Sequence, residues 1–158
     1  MIEGVVIKAL ITHEDKRGFF REIFRFPEEF CCVPIGQLSH SLVKEGVVKA
    51  WHGHREQSQW NYVVNGLIKV ALHDNRINSS TYKETMEFLV GDGQQPSAYF
   101  FPPGVLHGYE CLKGPMQIIY LTSGSYDVED EVRIDLNSLN IRKIFEKQAI
   151  KYENIKSI

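Results

Sequence analysis

The chain has 158 residues, of which 43% are hydrophobic and 24% are charged, and its formal net charge at pH 7 is -2. This length fits one domain with a buried core. The near-neutral charge gives no electrostatic reason to expect nucleic acid or an anionic membrane as a partner. The N-terminus has too short an apolar run for a signal peptide, and no apolar stretch approaches the roughly 20 residues of a membrane span. We therefore expect a soluble protein without membrane or nucleic-acid partners.

The three cysteines, Cys31, Cys32 and Cys111, are odd in number and have no Cys-x-x-Cys spacing. Cys31 and Cys32 are adjacent, which is a poor geometry for a disulfide between them, and the spacing does not suggest structural zinc. A reducing compartment is the simplest interpretation, so we expect a cytoplasmic protein.

Short apolar stretches rich in Val, Ile and aromatic residues recur about every ten residues, separated by Gly, Pro and Asn. Examples are Gly4–Ile11, Leu67–Asn75 and Met116–Thr122. This pattern is typical of an antiparallel sandwich or a small barrel. It predicts an all-β fold for residues 1–136.

The last part of the chain has a different pattern. Between Ser138 and Tyr152, apolar residues recur among charged ones at helical spacing: Leu139, Ile141, Ile144, Phe145 and Ala149. This spacing predicts a short C-terminal helix packed on the outside. We expect one domain over residues 1–158, with a β jelly roll at 1–136 and a helical tail at 137–158.

The segment Gly46–Gly66 contains two histidines one residue apart, His52 and His54, between apolar runs. Its spacing, Gly46-x5-His52-x-His54-x4-Gln59-x6-Gly66, followed by Pro102-x-Gly104-x-x-His107, resembles the two motifs of the cupin superfamily. That resemblance implies a jelly roll, or double-stranded β-helix, around an inward-facing cavity. Metal-binding cupins usually have Glu where Gln59 stands. A divalent transition metal held by His52, His54 and His107 remains one alternative, because imidazole suits such ions.

A second resemblance covers Asp15 to about Asp135 and is to the dTDP-4-dehydrorhamnose 3,5-epimerase family, which are metal-free cupins of nucleotide-sugar metabolism. The matching motifs are DKRGFFRE at 15–22, Gln37-x-Ser39-x-Ser41, Lys49-Ala50-Trp51-His52, Asp74-x-Arg76 followed by Ser79-Ser80-Thr81-Tyr82, Pro102-x-Gly104-x-x-His107-Gly108-Tyr109, and Tyr120 with Tyr126. All occur in the family's order.

The resemblance implies three catalytic residues. A 4-keto sugar has weakly acidic C–H bonds at C3 and C5, and inversion requires a base on one face of the ring and an acid on the other. His52 matches the base, and imidazole titrates near neutral pH. Tyr120 matches the acid that returns a proton, and His107 is our candidate donor to the enolate oxygen.

The resemblance also implies substrate contacts, no cofactor, and a homodimer in which one strand crosses to the partner's site. Arg17 and Lys49 are expected at the diphosphate, where cationic donors suit anionic oxygens. Tyr126 is expected to pack on the nucleotide base. The remaining expected contacts to base or sugar are Glu22, Gln37, Ser39, Gln59 and Glu131. On their own, the polar residues of the Gln37–Ser41 strand fit a solvated outer face as well as a cavity wall.

Three positions depart from the family pattern. Gln59 aligns with a lysine that donates to the enolate. His54 stands where Gln is usual. The C-terminal aspartate that pairs with the base is not recognisable after Asn137, so the sequence identifies no orienting carboxylate for His52.

These departures leave two further alternatives. The His-x-His pattern and the ending YDVEDEVR resemble nucleotide-sugar 3,4-ketoisomerases, which also begin by removing a proton at C3. A noncatalytic sugar-binding cupin is the other alternative, because lost catalytic partners are what decay of an enzyme produces.

Overall fold

A computed structural model describes residues 1–25 and 35–135. Every regular element in those residues is a β-strand. In chain order the strands are β1 Val6–Ala9, β2 Thr12–Asp15, β3 Gly18–Arg21, β4 Gln37–Val43, β5 Val48–His54, β6 Gln59–Asp74, β7 Thr85–Gly91, β8 Ser97–Phe101, β9 Val105–Thr122 and β10 Glu131–Arg133. The predicted C-terminal helix lies outside the described residues. Within the described ranges there is no helix long and apolar enough to cross a membrane.

Two long strands form the centre of the fold. β6 and β9 pair antiparallel from Gln59 opposite Thr122 to Asp74 opposite Val105, and their register shifts between Val63 and Ile68. An eight-stranded ladder is built on this pair, in the order β1-β8-β6-β9-β5-β10, with β4 on β9 and β7 on β6. β2 and β3 form a separate hairpin.

The register shifts divide the ladder into two facing layers. Sheet I contains β1, β8, the first half of β6, the second half of β9, and β4. Sheet II contains β7, the other halves of β6 and β9, β5, and β10. This is the arrangement of a jelly roll, so the predicted all-β jelly-roll fold is confirmed.

The hydrophobic core lies between the two sheets. Sheet I contributes Val63, Tyr99, Phe101 and Ile118, and sheet II contributes Ile68, Val70, Leu72 and Cys111. Alternation of inward and outward side chains along each strand produces these two inner faces. Burial of each large aliphatic side chain stabilises the fold by about 1.5–3 kcal/mol. The core fills one part of the sandwich and leaves the end near His52 open.

A buried carboxylate closes the end of β6. Asp74 is fully buried and accepts hydrogen bonds from Arg76 Nε at 2.8 Å and from the hydroxyls of Ser79 and Thr81 at 2.6 Å each. These donors outweigh burial and hold the pKa of Asp74 well below its ordinary value. The Asp-x-Arg motif and the following Ser-Ser-Thr therefore fix the connection between β6 and β7.

Gly66 marks the bend of β6. Its φ is +87°, and a Cβ atom there would lie 2.6 Å from the Lys113 carbonyl oxygen and 2.8 Å from Met116 Cα. Only glycine combines that conformation with such a close backbone approach. The motif glycine of the sequence is thus the residue that lets β6 pass from sheet I to sheet II.

We expect Gly66→Ala to lower the free energy of unfolding by about 2–4 kcal/mol, because it adds a steric clash to the cost of a positive φ. Gly93→Ala is the matched control. Gly93 has a φ of +78°, but a Cβ added there would meet no atom within 4 Å, so it should lose only about 1 kcal/mol. Urea denaturation of the two variants measures the difference, and equal losses would show that the close approach at Gly66 is unimportant.

Candidate active site

Two adjoining cavities lie between the sheets and share His52 and Tyr120. The larger has a volume of about 310 Å³ and is lined by Ser41, Lys49, His52, Gln59, Asn61, His107, Tyr109, Ile118, Tyr120 and Arg133. The smaller, of about 180 Å³, is lined by Gln37, His52, His54, Gln57, Tyr120, Thr122, Tyr126 and Glu131. The fold therefore brings eight of the eleven predicted site residues to one pair of cavities.

An irregularity in β5 turns its polar residues toward the cavity. Lys49 pairs with Tyr109, and His52 pairs with His107. Between these two pairs the chain advances three residues along β5 but only two along β9. One extra residue of this kind is a β-bulge, and it puts side chains on the same face that strict alternation would put on opposite faces. The bulge is why both Lys49 and His52 line the larger cavity.

Tyr120 lies on the opposite wall, in sheet I. It is flanked in register by Ser39 of β4 and Asn61 of β6. Its hydroxyl is 3.3 Å from Ser41 Oγ. Since sheet II holds His52 and sheet I holds Tyr120, the predicted base and the predicted acid stand on different walls of the same space.

His52 has a carboxylate partner. Its Nε2 lies 2.6 Å from Glu131 Oε1 on β10, and the same oxygen accepts a 3.0 Å hydrogen bond from Arg133. The short contact to His52 is poorly directed for a hydrogen bond, so its main contribution is electrostatic. Burial and the neighbouring His54 lower the pKa of His52 below its ordinary value, and Glu131 opposes that shift. Sequence reasoning expected Glu131 at the substrate and found no carboxylate for His52.

His54 has a different carboxylate. Its Nδ1 is 3.0 Å from Asp130 Oδ2, and both side chains are buried. The backbone N–H of Glu56 donates to the other oxygen of Asp130 at 2.6 Å, and these donors hold the pKa of Asp130 below its ordinary value against the effect of burial. The ring of His54 is thereby fixed beside that of His52, with 4.8 Å between the ring centroids.

His107 completes a cluster of three imidazoles. Its ring centroid is 5.1 Å from that of His52 and stacks at 4.3 Å on Phe101. Burial and the two other histidines hold the pKa of His107 well below its ordinary value, so the ring is neutral. Its Nδ1 is buried and has no hydrogen-bond partner among the described residues.

A metal held by His52, His54 and His107 is one alternative that the sequence leaves open. Within residues 1–25 and 35–135, no group of three or more His, Cys, Asp or Glu side chains is arranged to hold an ion. Nitrogens of His52 and His54 instead face Glu131 and Asp130.

At the mouth of the smaller cavity, the side-chain amide of Gln37 connects β4 to the loop that carries Tyr126. Gln37 donates from Nε2 to Ser39 Oγ at 2.8 Å, and its Oε1 accepts the backbone N–H of Tyr126 at 3.0 Å. Tyr126 is 64% exposed, so its ring is open to a ligand. Gln37 and Ser41 line the cavities, and Ser39 lies on the same face of β4 through its bond to Gln37 without lining either cavity. The polar face of β4 that the sequence left open is therefore the face on the cavity side.

Arg17 and Glu22 do not line either cavity. Arg17 lies at the turn of the β2–β3 hairpin, where its exposed guanidinium contacts Asp15 at 2.6 Å. Glu22 follows that hairpin and pairs with Arg25 at 2.9 Å. Within one chain these two predicted contacts are separate from the other site residues.

Sequence reasoning missed several residues that the fold brings to the site. Asn61, Tyr109 and Arg133 each lie two positions after a predicted residue on a strand, so alternation could have found them. Asp130 just precedes β10, where alternation gives no signal. Asn61 is 2% exposed, accepts a 2.6 Å hydrogen bond from Gln59 Nε2, and has no partner for its own Nδ2 among the described residues.

Comparison with known proteins agrees with the motifs. Residues 1–153 match the family model described as dTDP-4-dehydrorhamnose 3,5-epimerase. The chain is 41% identical over 137 residues to the spore coat polysaccharide biosynthesis protein SpsL of Bacillus subtilis, covering 85% of this chain and 89% of SpsL.

Solved structures resemble it as well. NovW, a 4-keto-6-deoxy sugar epimerase from the novobiocin biosynthetic gene cluster of Streptomyces spheroides, superposes with a TM-score of 0.78 at 26% identity, over 87% of this chain and 72% of NovW. A dTDP sugar isomerase from Desulfovibrio desulfuricans G20 gives the same TM-score at 22% identity over 87% of both chains, which supports the fold alone. From the family model and the identity to SpsL together, the chain belongs to the dTDP-4-dehydrorhamnose 3,5-epimerase family.

Proposed function

We propose that this protein is an epimerase of a nucleotide-linked, dTDP-type 4-keto-6-deoxyhexose, inverting C3, C5 or both by proton removal and return on opposite faces of the sugar ring. One observation carries the proposal. His52 on sheet II, beside Glu131, and Tyr120 on sheet I line the same cavity from different walls. A sugar ring between the sheets would meet a base on one face and an acid on the other.

His52 acts as the base. A lowered pKa keeps its imidazole neutral at neutral pH, which a base requires. It removes a proton from the carbon beside the ketone, the C–H electron pair forms the carbon–carbon double bond of an enolate, and the C4 oxygen becomes negative. Glu131, 2.6 Å away, stabilises the imidazolium that results.

Tyr120 acts as the acid on the other face. Its O–H gives a proton to the carbon, the enolate collapses to the ketone, and the configuration at that carbon is inverted. Ser41 Oγ, 3.3 Å from the phenol oxygen, is placed to stabilise the phenolate left behind. Neutral His107 offers an N–H to the C4 oxygen, a type of donor worth about 3–4 kcal/mol in the transition state.

The nucleotide extends from the cavity mouth. Lys49 contacts the diphosphate, and exposed Tyr126 stacks on the base with its loop held by Gln37 and Ser39. Gln59 belongs to the sugar end of the site. Family members named for dTDP-sugars support this class of substrate.

The active form is a homodimer in which each copy completes the other's site. Arg17 and Glu22 lie away from the cavities of their own chain. Phe19 and Phe20 on the same hairpin are 62% and 66% exposed, and exposed aromatic side chains of this kind mark association surfaces. A partner's hairpin brings Arg17 to the diphosphate and Glu22 to the nucleotide.

The protein works in the cytoplasm, where nucleotide sugars are the donors for polysaccharide assembly. The buried free thiol of Cys111 suits a reducing compartment. SpsL is named for spore coat polysaccharide biosynthesis, and we assign this chain to polysaccharide biosynthesis of the same general type.

A 3,4-ketoisomerase is the second candidate. The observation that favours it is the His54–Asp130 pair beside His52, which gives the same wall a second, carboxylate-oriented imidazole. An isomerase moves a proton between C3 and C4 on one face through an enediol, and two neighbouring imidazoles suit that path. Its product is a 3-keto sugar, which separates the two reactions.

Incubation with a dTDP-4-keto-6-deoxyhexose in D2O tests the proposal. We expect deuterium at C3, C5 or both, with inversion at the labelled carbon, measured by NMR. His52→Asn should slow the exchange by about 10²–10⁴-fold because it removes the base. His40→Asn is the matched control, since His40 is exposed and lies on the opposite face of β4 from Ser39 and Ser41. A 3-keto product would favour the isomerase, and wild-type protein that incorporates no label would overturn the catalytic proposal.

Replacement of Glu131 by Gln should move the acidic limb of the pH–rate profile to lower pH. The rate is constant above the pKa of His52 and falls below it, because only neutral imidazole accepts the proton. Glu131 raises that pKa, so removing its charge lowers the pKa further and also lowers the rate on the plateau. Glu110→Gln is the control. Glu110 lines neither cavity, and its carboxylate lies 3.5 Å from Lys69 Nζ, so this change should alter neither the position of the acidic limb nor the plateau rate. An unmoved limb, or one moved to higher pH, would count against Glu131 as the partner of the base.

A further inference from the structure

Two amides on β6 form a pair at the wall of the larger cavity. Gln59 Nε2 donates to Asn61 Oδ1 at 2.6 Å. The amide nitrogen of Asn61 is buried and has no hydrogen-bond partner among the described residues. A buried donor without an acceptor costs about 1–3 kcal/mol, so its presence requires an explanation.

An acceptor for Asn61 Nδ2 can come only from the cavity, because the other sides of this residue are occupied. Asn61 lies on the inner face of sheet I, in a row formed by Ser39 of β4, Tyr120 of β9 and Tyr99 of β8. Tyr99 on one side belongs to the hydrophobic core, and Gln59 occupies Asn61 Oδ1. The remaining direction faces the space that His52, His107 and Tyr120 also line.

We propose that Asn61 donates from Nδ2 to the C4 oxygen of the sugar, and that Gln59 is a positioning residue that acts through Asn61. This inference rests on the proposed function and names a catalytic residue for it. The oxygen at C4 is a ketone in the substrate and an enolate after His52 removes the proton. A fixed N–H donor in a site shielded from water binds the enolate more tightly than the ketone, and it therefore lowers the barrier.

The pair explains how the site works without a lysine at position 59. The N–H that Gln59 donates to Asn61 Oδ1 is not available to donate to the sugar. By holding Asn61 Oδ1, it fixes which end of the Asn61 amide meets the cavity, because only the nitrogen end is left. Asn61 on sheet I and neutral His107 on sheet II thus provide donors from both walls, and neither of these donors carries a charge.

Asn61→Leu tests the catalytic role, because leucine has nearly the same shape, no donor and no charge. We expect kcat for deuterium exchange to fall by about 100-fold with a KM close to that of the wild type, as for other single oxyanion donors. Gln59→Met should give a smaller fall in kcat, because Asn61 remains but is no longer oriented. Asn65→Leu is the control on the same strand. Asn65 lines neither cavity, and its side-chain amide donates to the Pro115 carbonyl oxygen at 2.8 Å. Unchanged kcat in Asn61→Leu would overturn the inference.

A measurement without turnover separates this inference from the proposed function. A 4-keto sugar nucleotide labelled with ¹³C at C4 is bound to His52→Asn and to His52→Asn/Asn61→Leu. The donor polarises the carbonyl, so we expect the C4 resonance to move toward that of the free ketone in the double variant. Identical resonances would overturn the role of Asn61 even if the wild type is an epimerase. A clear difference would support it even if the wild type exchanges no proton and the proposed function fails. A sugar nucleotide that does not bind at all would overturn both.

Discussion

The pairing of β6 with β9 is the constraint on which the site depends. The two strands have 16 and 18 residues and run through both sheets. Because they bend together near Gly66, each strand contributes one half to each wall. β9 carries His107 in sheet II and Tyr120 in sheet I, so one continuous strand fixes a residue on each side of the cavity. The spacing between these residues is set by backbone hydrogen bonds, which hold it more rigidly than loops would.

The electrostatics of the site follow from where its carboxylates lie. Three imidazoles have ring centroids within 6.1 Å of one another, and these neighbours lower the pKa of His52 and of His107. Glu131 opposes that shift at His52, whereas His107 stacks on Phe101 and stays neutral. One imidazole is thereby suited to gain a proton and another to remain a neutral donor. Environment alone gives the same side chain two different chemical uses.

The sequence predicted the fold, and most of the residues that it singled out line the two cavities. The recurring short strands predicted an antiparallel sandwich or barrel, and the resemblance of the His52, His54 and His107 spacing to the cupin motifs predicted the jelly roll with inward histidines. The partner of His52 could not be predicted in this way. Glu131 reaches His52 only because β10 pairs with β5, and the pairing of distant strands has no local signal. The bulge between Lys49 and His52 likewise has no local signal in the sequence. Asn61 was accessible to alternation from Gln59, but its unpartnered nitrogen is visible only in three dimensions.

In the proposed reaction, base and acid act from opposite walls. The fate of deuterium in Tyr120→Phe tests it most directly. In D2O, His52 of this variant can still remove a proton and return a deuteron to the same face, while the opposite face has lost its donor. NMR of the sugar should therefore show label entering at a rate comparable to that of the wild type, with inversion slowed by about 10²–10⁴-fold. Exchange and inversion that fall together, or inversion that continues at the wild-type rate, would contradict the account.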